Sequence, residues 1–274
     1  MTDKQEAKFV DVNGVRTRYF ESGQGEPTIL LHGGGPGASG ISNYSKNIGP
    51  LSANRRVIVP DLPGFGETEN KLAEGPVYAA LGKFVLEFMD AIKVEKASFV
   101  GNSMGGGTTL TVALRAPERA NNLVLMGTGG SQPLFTPTPT EGGRRMRAFF
   151  LSDNPTLEML RGVIEQLVFD QSSITPALME ERFKAANRPE LRGNSVFHRP
   201  VWGDVWRENL ASLKHRTLIV WGREDRVVPV DACFTLLKSL PKAQLHIYPG
   251  CGHWAQWEKA DEFNVLVANF LDQK

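Results

Sequence analysis

Five residues near the middle of the chain, Gly101-Asn102-Ser103-Met104-Gly105, have the spacing Gly-x-Ser-x-Gly. A short apolar run at 98–100 precedes them, and Gly105-Gly106-Gly107 leads into helical spacing. That context gives the pattern its weight, because Gly and Ser are common and the bare spacing says little. A strand that turns sharply into a helix holds its serine in a strained backbone conformation, where neighbours with side chains would collide. The helix N-terminus then aims N–H groups at the place where an oxyanion would form. The chemistry that fits is acyl transfer through Ser103 as nucleophile.

A serine hydroxyl needs a base, and the base needs an acid to orient it, in the chain order Ser, Asp/Glu, His for this kind of elbow. Trp221-Gly222-Arg223-Glu224-Asp225 closes one late apolar run, and Gly250-Cys251-Gly252-His253-Trp254 follows the last one. Asp225 and His253 therefore complete a catalytic triad with Ser103. Glu224 is the rival acid; Asp231 is a weaker one, expected to cap the helix it precedes. His198, His215 and His246 have no comparable setting. Upstream, His32-Gly33-Gly34-Gly35-Pro36-Gly37 follows the run at 28–31. A Gly-rich loop in that place donates the second oxyanion-hole N–H. Gly34 is the expected donor, with the Met104 N–H as the other, and His32 is read as structural, its ring bonding loop backbone.

These groups need a frame to bring them together. Short apolar runs alternate with segments of helical spacing, the pattern of a mostly parallel sheet with helices on both faces. Residues 9–12 and 15–21 read as strands joined by an Asn13-Gly14 turn, hence an antiparallel hairpin. The runs at 28–31, 57–60, 98–100, 123–126, 217–221 and 244–248 read as buried strands. Helices are expected at 84–92, 108–115, 232–240 and 261–271. The middle third breaks this rhythm: 131–140, rich in Pro and Thr, reads as irregular loop, and 144–210 carries helical patterns, best at 157–169 and 176–186, with no strand. The expected architecture is α/β, an α/β-hydrolase fold with a core from residues 1–130 and 211–274 and a helical cap at 131–210. A separate second domain is the rival, but about 65 residues is small for a unit with its own core.

Composition bounds the partners. The chain has 274 residues, 41% hydrophobic and 22% charged, with a formal net charge of +1. No Lys/Arg block is dense enough to track a phosphate backbone, which argues against nucleic acid and against an anionic membrane surface. No apolar run approaches the roughly 20 residues that cross a bilayer, and residues 1–8 lack a signal-peptide core. Cys233 and Cys251 are too few for a disulfide framework and fit reduced thiols in a cytoplasmic protein. Cys251, two residues before His253, is read as a space-filling turn residue. No Cys/His cluster has zinc spacing, so no metal is expected.

Four segments carry a more specific resemblance. They are His32 through Gly40 with Asn43-Tyr44; Gly101-Asn102-Ser103-Met104-Gly105-Gly106; Asp170-Gln171-Ser172 with Ile174-Thr175; and Gly252-His253-Trp254-Ala255-Gln256-Trp257-Glu258. Together they resemble the meta-cleavage product hydrolases, carbon–carbon bond hydrolases of aromatic degradation acting on 2-hydroxy-6-oxohexa-2,4-dienoates. The resemblance implies a cofactor-free reaction on a small-molecule dienoate and a homo-oligomer, at least a dimer. It implies that Arg182 holds the substrate carboxylate or 2-oxo group, with Arg188 near enough to compete for that role. Asn43 and Asn102 would bond the dienoate oxygens beside Gly35, and Trp254 would lie along the diene. Trp206, Val227 and Met104 would face the apolar end. The implied reaction ketonises the dienol by protonation at carbon 5, after which Ser103 attacks the carbon 6 carbonyl. Attack by an activated water instead is not distinguished by sequence.

The nearest rivals share the fold: an esterase or a proline iminopeptidase, whose loop is similar to His-Gly-Gly-Gly-Pro-Gly but whose serine surroundings are not. A non-catalytic ligand receptor of this fold is a third reading, disfavoured by a complete triad and oxyanion loop. The carbon 6 substituent stays open at this level.

Overall fold

The computed structural model describes residues 6–191 and 195–273. Strands β1 (Lys8–Val12) and β2 (Val15–Ser22) form the expected antiparallel hairpin. Asn13 and Gly14 both take positive φ in its two-residue turn, at 50° and 85°, as the twist of a tight hairpin requires. Then follow β3 (Pro27–Leu31), β4 (Arg56–Pro60), β5 (Ala97–Asn102), β6 (Ala120–Met126), β7 (Thr217–Gly222) and β8 (Ala243–Tyr248). They make one sheet in the order β1-β2-β4-β3-β5-β6-β7-β8, antiparallel across β1, β2 and β4 and parallel from there to β8.

The parallel strands inside the edge strand β8 are buried on both faces, and their side chains alternate between two cores. Ile29, Leu31, Phe99, Leu123, Leu125, Ile219 and Trp221 point to one side. Leu30, Val100, Val124, Met126, Leu218 and Val220 point to the other. The first side is covered by α3 (Val77–Ala91), α4 (Met104–Arg115) and α8 (Ala232–Ser239). The second is covered by α1 (Gly40–Tyr44), α2 (Ile48–Leu51), α9 (Ala255–Glu258) and α10 (Ala260–Asp272). Each face carries a full apolar layer, so the sheet is a rigid base whose strand ends hold the loops in place.

Between β6 and β7 the described residues form no strand. They form α5 (Glu141–Leu151), α6 (Leu157–Leu167), α7 (Pro176–Ala186) and short 3-10 turns. All three helices begin on a threonine, Thr140, Thr156 and Thr175, whose hydroxyl accepts from the N–H three residues on, satisfying a donor the helix cannot. Their apolar sides pack as a third cluster with Phe149, Leu160, Ile164, Leu167 and Met179, joined by Trp254 from the loop after β8. Trp254 thus sits where this helical insertion meets the sheet. No described helix is long and apolar enough to cross a membrane.

Candidate active site

Ser103 lies between β5 and α4 with φ 53° and ψ −115°, the strained conformation that the sharp strand-to-helix turn predicts. The strain is held from several sides. Ser103 N donates to Met126 O at 2.7 Å, and its carbonyl accepts from Gly106 N and Gly129 N, each at 2.9 Å. The glycines after it exist for space. A Cβ on Gly105 would stand 2.0 Å from Leu31 O, and one on Gly107 would stand 2.4 Å from the Tyr78 ring. Met104 opens α4, so its N–H is among those a helix leaves unpaired. It borders the same cavity as Gly34, on the loop after β3, and Ser103.

Asp225, just after β7, meets His253 after β8: His253 Nδ1 stands 2.7 Å from Asp225 Oδ2. The other carboxylate oxygen accepts from Val227 N at 2.8 Å and Val228 N at 3.0 Å. Asp225 is therefore fixed by its own loop while it orients the imidazole, and His253 borders the same cavity as Ser103. Glu224 points elsewhere, accepting from Cys251 N at 3.0 Å and pairing with Arg223. Asp231 departs from its expected role. It precedes α8 without a side-chain cap bond and instead gathers Leu134 N, Phe135 N, Thr136 N and the Thr136 hydroxyl. The carboxylate binds the loop at 134–136 in preference to its own helix because four donors converge on it. His32 is structural as read: Leu62 N donates to its Nε2 at 2.9 Å, which places the proton on Nδ1 facing Gly33 O at 2.8 Å. Burial lowers its pKa, in keeping with a neutral ring.

Two cavities meet at Ser103. The first is a tight space of about 10 Å³, room for about one water, bordered by Gly35, Asn43, Asn102, Arg182, His253 and Trp254 among others. Arg182 comes from α7 and is 2% exposed. Among the described residues its bonds are long, Nη1 to Pro36 O at 3.3 Å and Nη2 to Ser42 Oγ at 3.5 Å, and its guanidinium lies 4.4 Å over the Trp254 ring. No carboxylate pairs with it among the described residues. Burial pulls its pKa down to about 10, with Glu181 opposing from a distance. Three buried atoms around this space, Arg182 Nε, Asn102 Oδ1 and His253 Nε2, lack a hydrogen-bond partner. Folded proteins seldom leave such groups unpaired, and their convergence marks a place built for a polar ligand. Arg188 stands apart, bonded to Gly66 O and paired with Glu190 at 2.8 Å.

The second cavity, of about 270 Å³, opens from Ser103 between α4 and the insertion, with Met104, Met146, Phe197, Trp202 and Val227 in its walls. Val227 and Met104 are thus in the wall where they were expected, and Trp206 is not. Trp206 lies against Arg207, 4.7 Å from the guanidinium carbon to the ring, and its backbone N–H donates to Gly130 O. Trp202 takes the place in the wall, packed on Tyr78 and Phe197. Sequence reading also missed Tyr78, Met146 and Phe197. Met146 had helical spacing as its only signal; Tyr78, before the expected helix at 84–92, and Phe197, in a 3-10 turn, had none.

One more carboxylate matters. Glu258 Oε2 accepts from Gly252 N at 2.7 Å, and Oε1 accepts from Phe169 N at 2.8 Å and Asp170 N at 2.9 Å. It fastens the His253 loop to the end of α6.

The alpha/beta hydrolase fold family matches residues 27–260. A 2-hydroxy-6-oxo-6-phenylhexa-2,4-dienoate hydrolase of Burkholderia cepacia is 42% identical over 282 residues, 99% of this chain and 98% of the relative. A 2-hydroxy-6-oxononadienedioate/2-hydroxy-6-oxononatrienedioate hydrolase of Comamonas testosteroni is 41% identical over 99% of this chain and 98% of its own length. Among solved structures, the meta-cleavage product hydrolase of Pseudomonas fluorescens IP01, complexed with acetates, superposes with a TM-score of 0.87 at 35% identity, covering 97% of each chain. The chain is an α/β hydrolase, and within that fold it belongs to the meta-cleavage product hydrolases.

Proposed function

We propose that this protein hydrolyses the carbon 5–carbon 6 bond of a 2-hydroxy-6-oxohexa-2,4-dienoate, with Ser103, His253 and Asp225 as its triad. The observation that carries the reading is the buried guanidinium of Arg182, paired with no carboxylate among the described residues, in the same tight cavity as His253 and Ser103. An esterase or peptidase has no use for a desolvated cation there. A dienoate brings a carboxylate and an adjacent oxygen, which a guanidinium can bind in a bidentate manner. Asn102 Oδ1 and the Asn43 amide supply further contacts to the hydroxy-dienoate end, Gly35 lets it approach the loop backbone, and Trp254 backs both the arginine and the conjugated chain.

Held at that end, the dienol ketonises as a proton reaches carbon 5, which creates the electron sink for cleavage. Ser103, deprotonated by His253, attacks the carbon 6 carbonyl that projects toward the larger cavity. The Gly34 and Met104 N–H groups stabilise the oxyanion, and Asp225 stabilises the imidazolium. Collapse releases 2-hydroxypenta-2,4-dienoate, and water activated by His253 hydrolyses the acyl-enzyme. No step calls on a cofactor.

Residues 131–210 act in this reading as a cap over a core of residues 1–130 and 211–274. The helical character of the insertion and its separate apolar cluster support that division. A homo-oligomer, at least a dimer, fits the family and the open sheet edge at β8. A cytoplasmic setting fits the two buried free thiols. The test is a panel of ring-opened dienoates followed by loss of their visible absorbance, alongside a neutral activated ester. Turnover of the ester with no dienoate turned over would refute the reading.

A further inference from the structure

Helix α5 carries three arginines, and they meet different surroundings. Arg144 Nη2 lies 2.8 Å from Glu141 Oε2, and Arg145 Nε lies 2.7 Å from Glu141 Oε1. One acid serves both. Arg147 has no acidic partner among the described residues, and it belongs to another face of the helix. Gly143, Met146 and Arg147 all border the 270 Å³ cavity beside Ser103. Phe150, one turn on, stacks at 4.1 Å on Phe197, which borders it too. Positions 143, 146, 147 and 150 form one stripe of an α-helix. The helix therefore presents a cation to the cavity at a position where an apolar residue would complete the wall.

We infer that Arg147 is a specificity residue: the larger cavity takes a carbon 6 substituent that ends in a carboxylate, and Arg147 receives it. This rests on the dienoate reading above. The walls nearer Ser103, Met104, Met146 and Val227, suit the methylene part of such a group. Tyr78 adds a polar atom to the same wall, its hydroxyl lying so near Gly129 that a Cβ there would be 2.3 Å from it. Arg147 is exposed, so it stands at the mouth, where an acid end can keep part of its hydration. A phenyl or plain alkyl substituent would fill the apolar part and give Arg147 nothing to bind. In the balanced reaction the carbon 5–carbon 6 bond breaks, the oxygen of water ends on carbon 6, and a short dicarboxylic acid leaves with the dienoate.

Two dienoates of matched size decide it, one with a 2-carboxyethyl group at carbon 6 and one with propyl. The purified enzyme should have the higher kcat/KM for the carboxyethyl substrate, and added salt should erode that preference. Arg147→Gln should shrink the carboxyethyl-to-propyl ratio by about five- to tenfold, as befits a partly solvated ion pair. Arg147→Lys should keep most of the ratio, and Arg147→Glu should invert it. A wild-type preference for propyl, or a ratio unmoved by Arg147→Gln, overturns the inference while leaving the dienoate reading in place. Turnover of neither dienoate by an enzyme that still cleaves an activated ester overturns both.

Discussion

Replacing Arg182 with Gln separates recognition from architecture. The side chain is buried, with two long hydrogen bonds and no paired carboxylate among the described residues, and burial pulls its pKa from the ordinary guanidinium range down to about 10. At about 1.4 kcal/mol per tenfold, keeping it charged costs the free protein roughly 3 kcal/mol. The sign follows from a folded pKa below the unfolded one. The charged form is penalised in the fold at every pH below about 10, and the penalty fades only as pH rises from there toward the ordinary guanidinium value. Stacking on Trp254 and the two weak bonds return about 1–2 kcal/mol. Arg182→Gln should therefore leave the ligand-free protein as stable as wild type, or up to about 2 kcal/mol more stable, in urea unfolding at pH 7. With a dienoate the balance reverses, because the substrate carboxylate loses its only buried counter-charge. Removing one partner of such a pair costs about 3–5 kcal/mol, so kcat/KM should fall on the order of 10² to 10³ or more. A neutral activated ester, which has no carboxylate to place, should lose less than about threefold. If ester and dienoate activities fell together and the protein were destabilised, Arg182 would be a support for α7 and not a binding group.

Ser103→Ala should lower dienoate turnover by at least about a thousandfold while dienoate binding, followed by its absorbance change, persists. Asp225→Asn should cost on the order of 10³ to 10⁴ in kcat, by leaving His253 in the wrong tautomer. Glu224→Gln, one residue away, should cost about 1–2 kcal/mol of stability through its bond to Cys251 N and little activity per folded molecule; equal losses in kcat for the two would refute the assignment of the acid. Glu258→Ala, which unpairs Gly252 N, Phe169 N and Asp170 N, should lower both thermal stability and kcat, measured by calorimetry and steady-state assay.

The inner sheet was legible because its strands are buried on both faces, so that runs such as 217–221 and 123–126 are apolar throughout and end in turn residues. The residues of the proposed triad were legible because each follows an apolar strand run, Ser103 after β5, Asp225 after β7 and His253 after β8. Helices were less exact where glycine entered them. α3 begins at Val77, seven residues before the expected start, because Gly82 interrupts the pattern. That glycine serves contact, since a Cβ there would lie 2.6 Å from Thr111 of α4. α5 has Gly142-Gly143 in its first turn, and its start was placed late for the same reason; a Cβ on Gly142 would crowd Arg226 O at 2.7 Å. The cavity walls were the least legible part. Trp202 and Trp206 are four residues apart in an irregular segment, and only the 3-10 turn at Val205–Arg207 decides which indole faces inward. Local spacing has no period there, so the sequence had nothing to set one against the other.

The connection between the insertion and the catalytic histidine gives the arrangement its logic. His253 N donates to Leu167 O at 2.8 Å, at the last residue of α6, and Glu258 ties the next two residues but one to Gly252. The loop that carries the base is thus bonded on both sides of His253 to the element that borders the substrate. Trp254, the residue between those anchors and α9, packs into the apolar cluster of the insertion and stacks on Arg182 of α7. Any displacement of the insertion that moved Arg182 would pull on the same loop that positions the imidazole. Packed interiors transmit such shifts because they have little free volume to absorb them. In the proposed reaction the dienoate end and the reacting carbonyl lie several bonds apart, and a fixed frame from Arg182 to His253 would meet that separation. That frame consists of hydrogen bonds and packing around one loop, which is why the residues that hold the acid and those that break the bond must be read as one site.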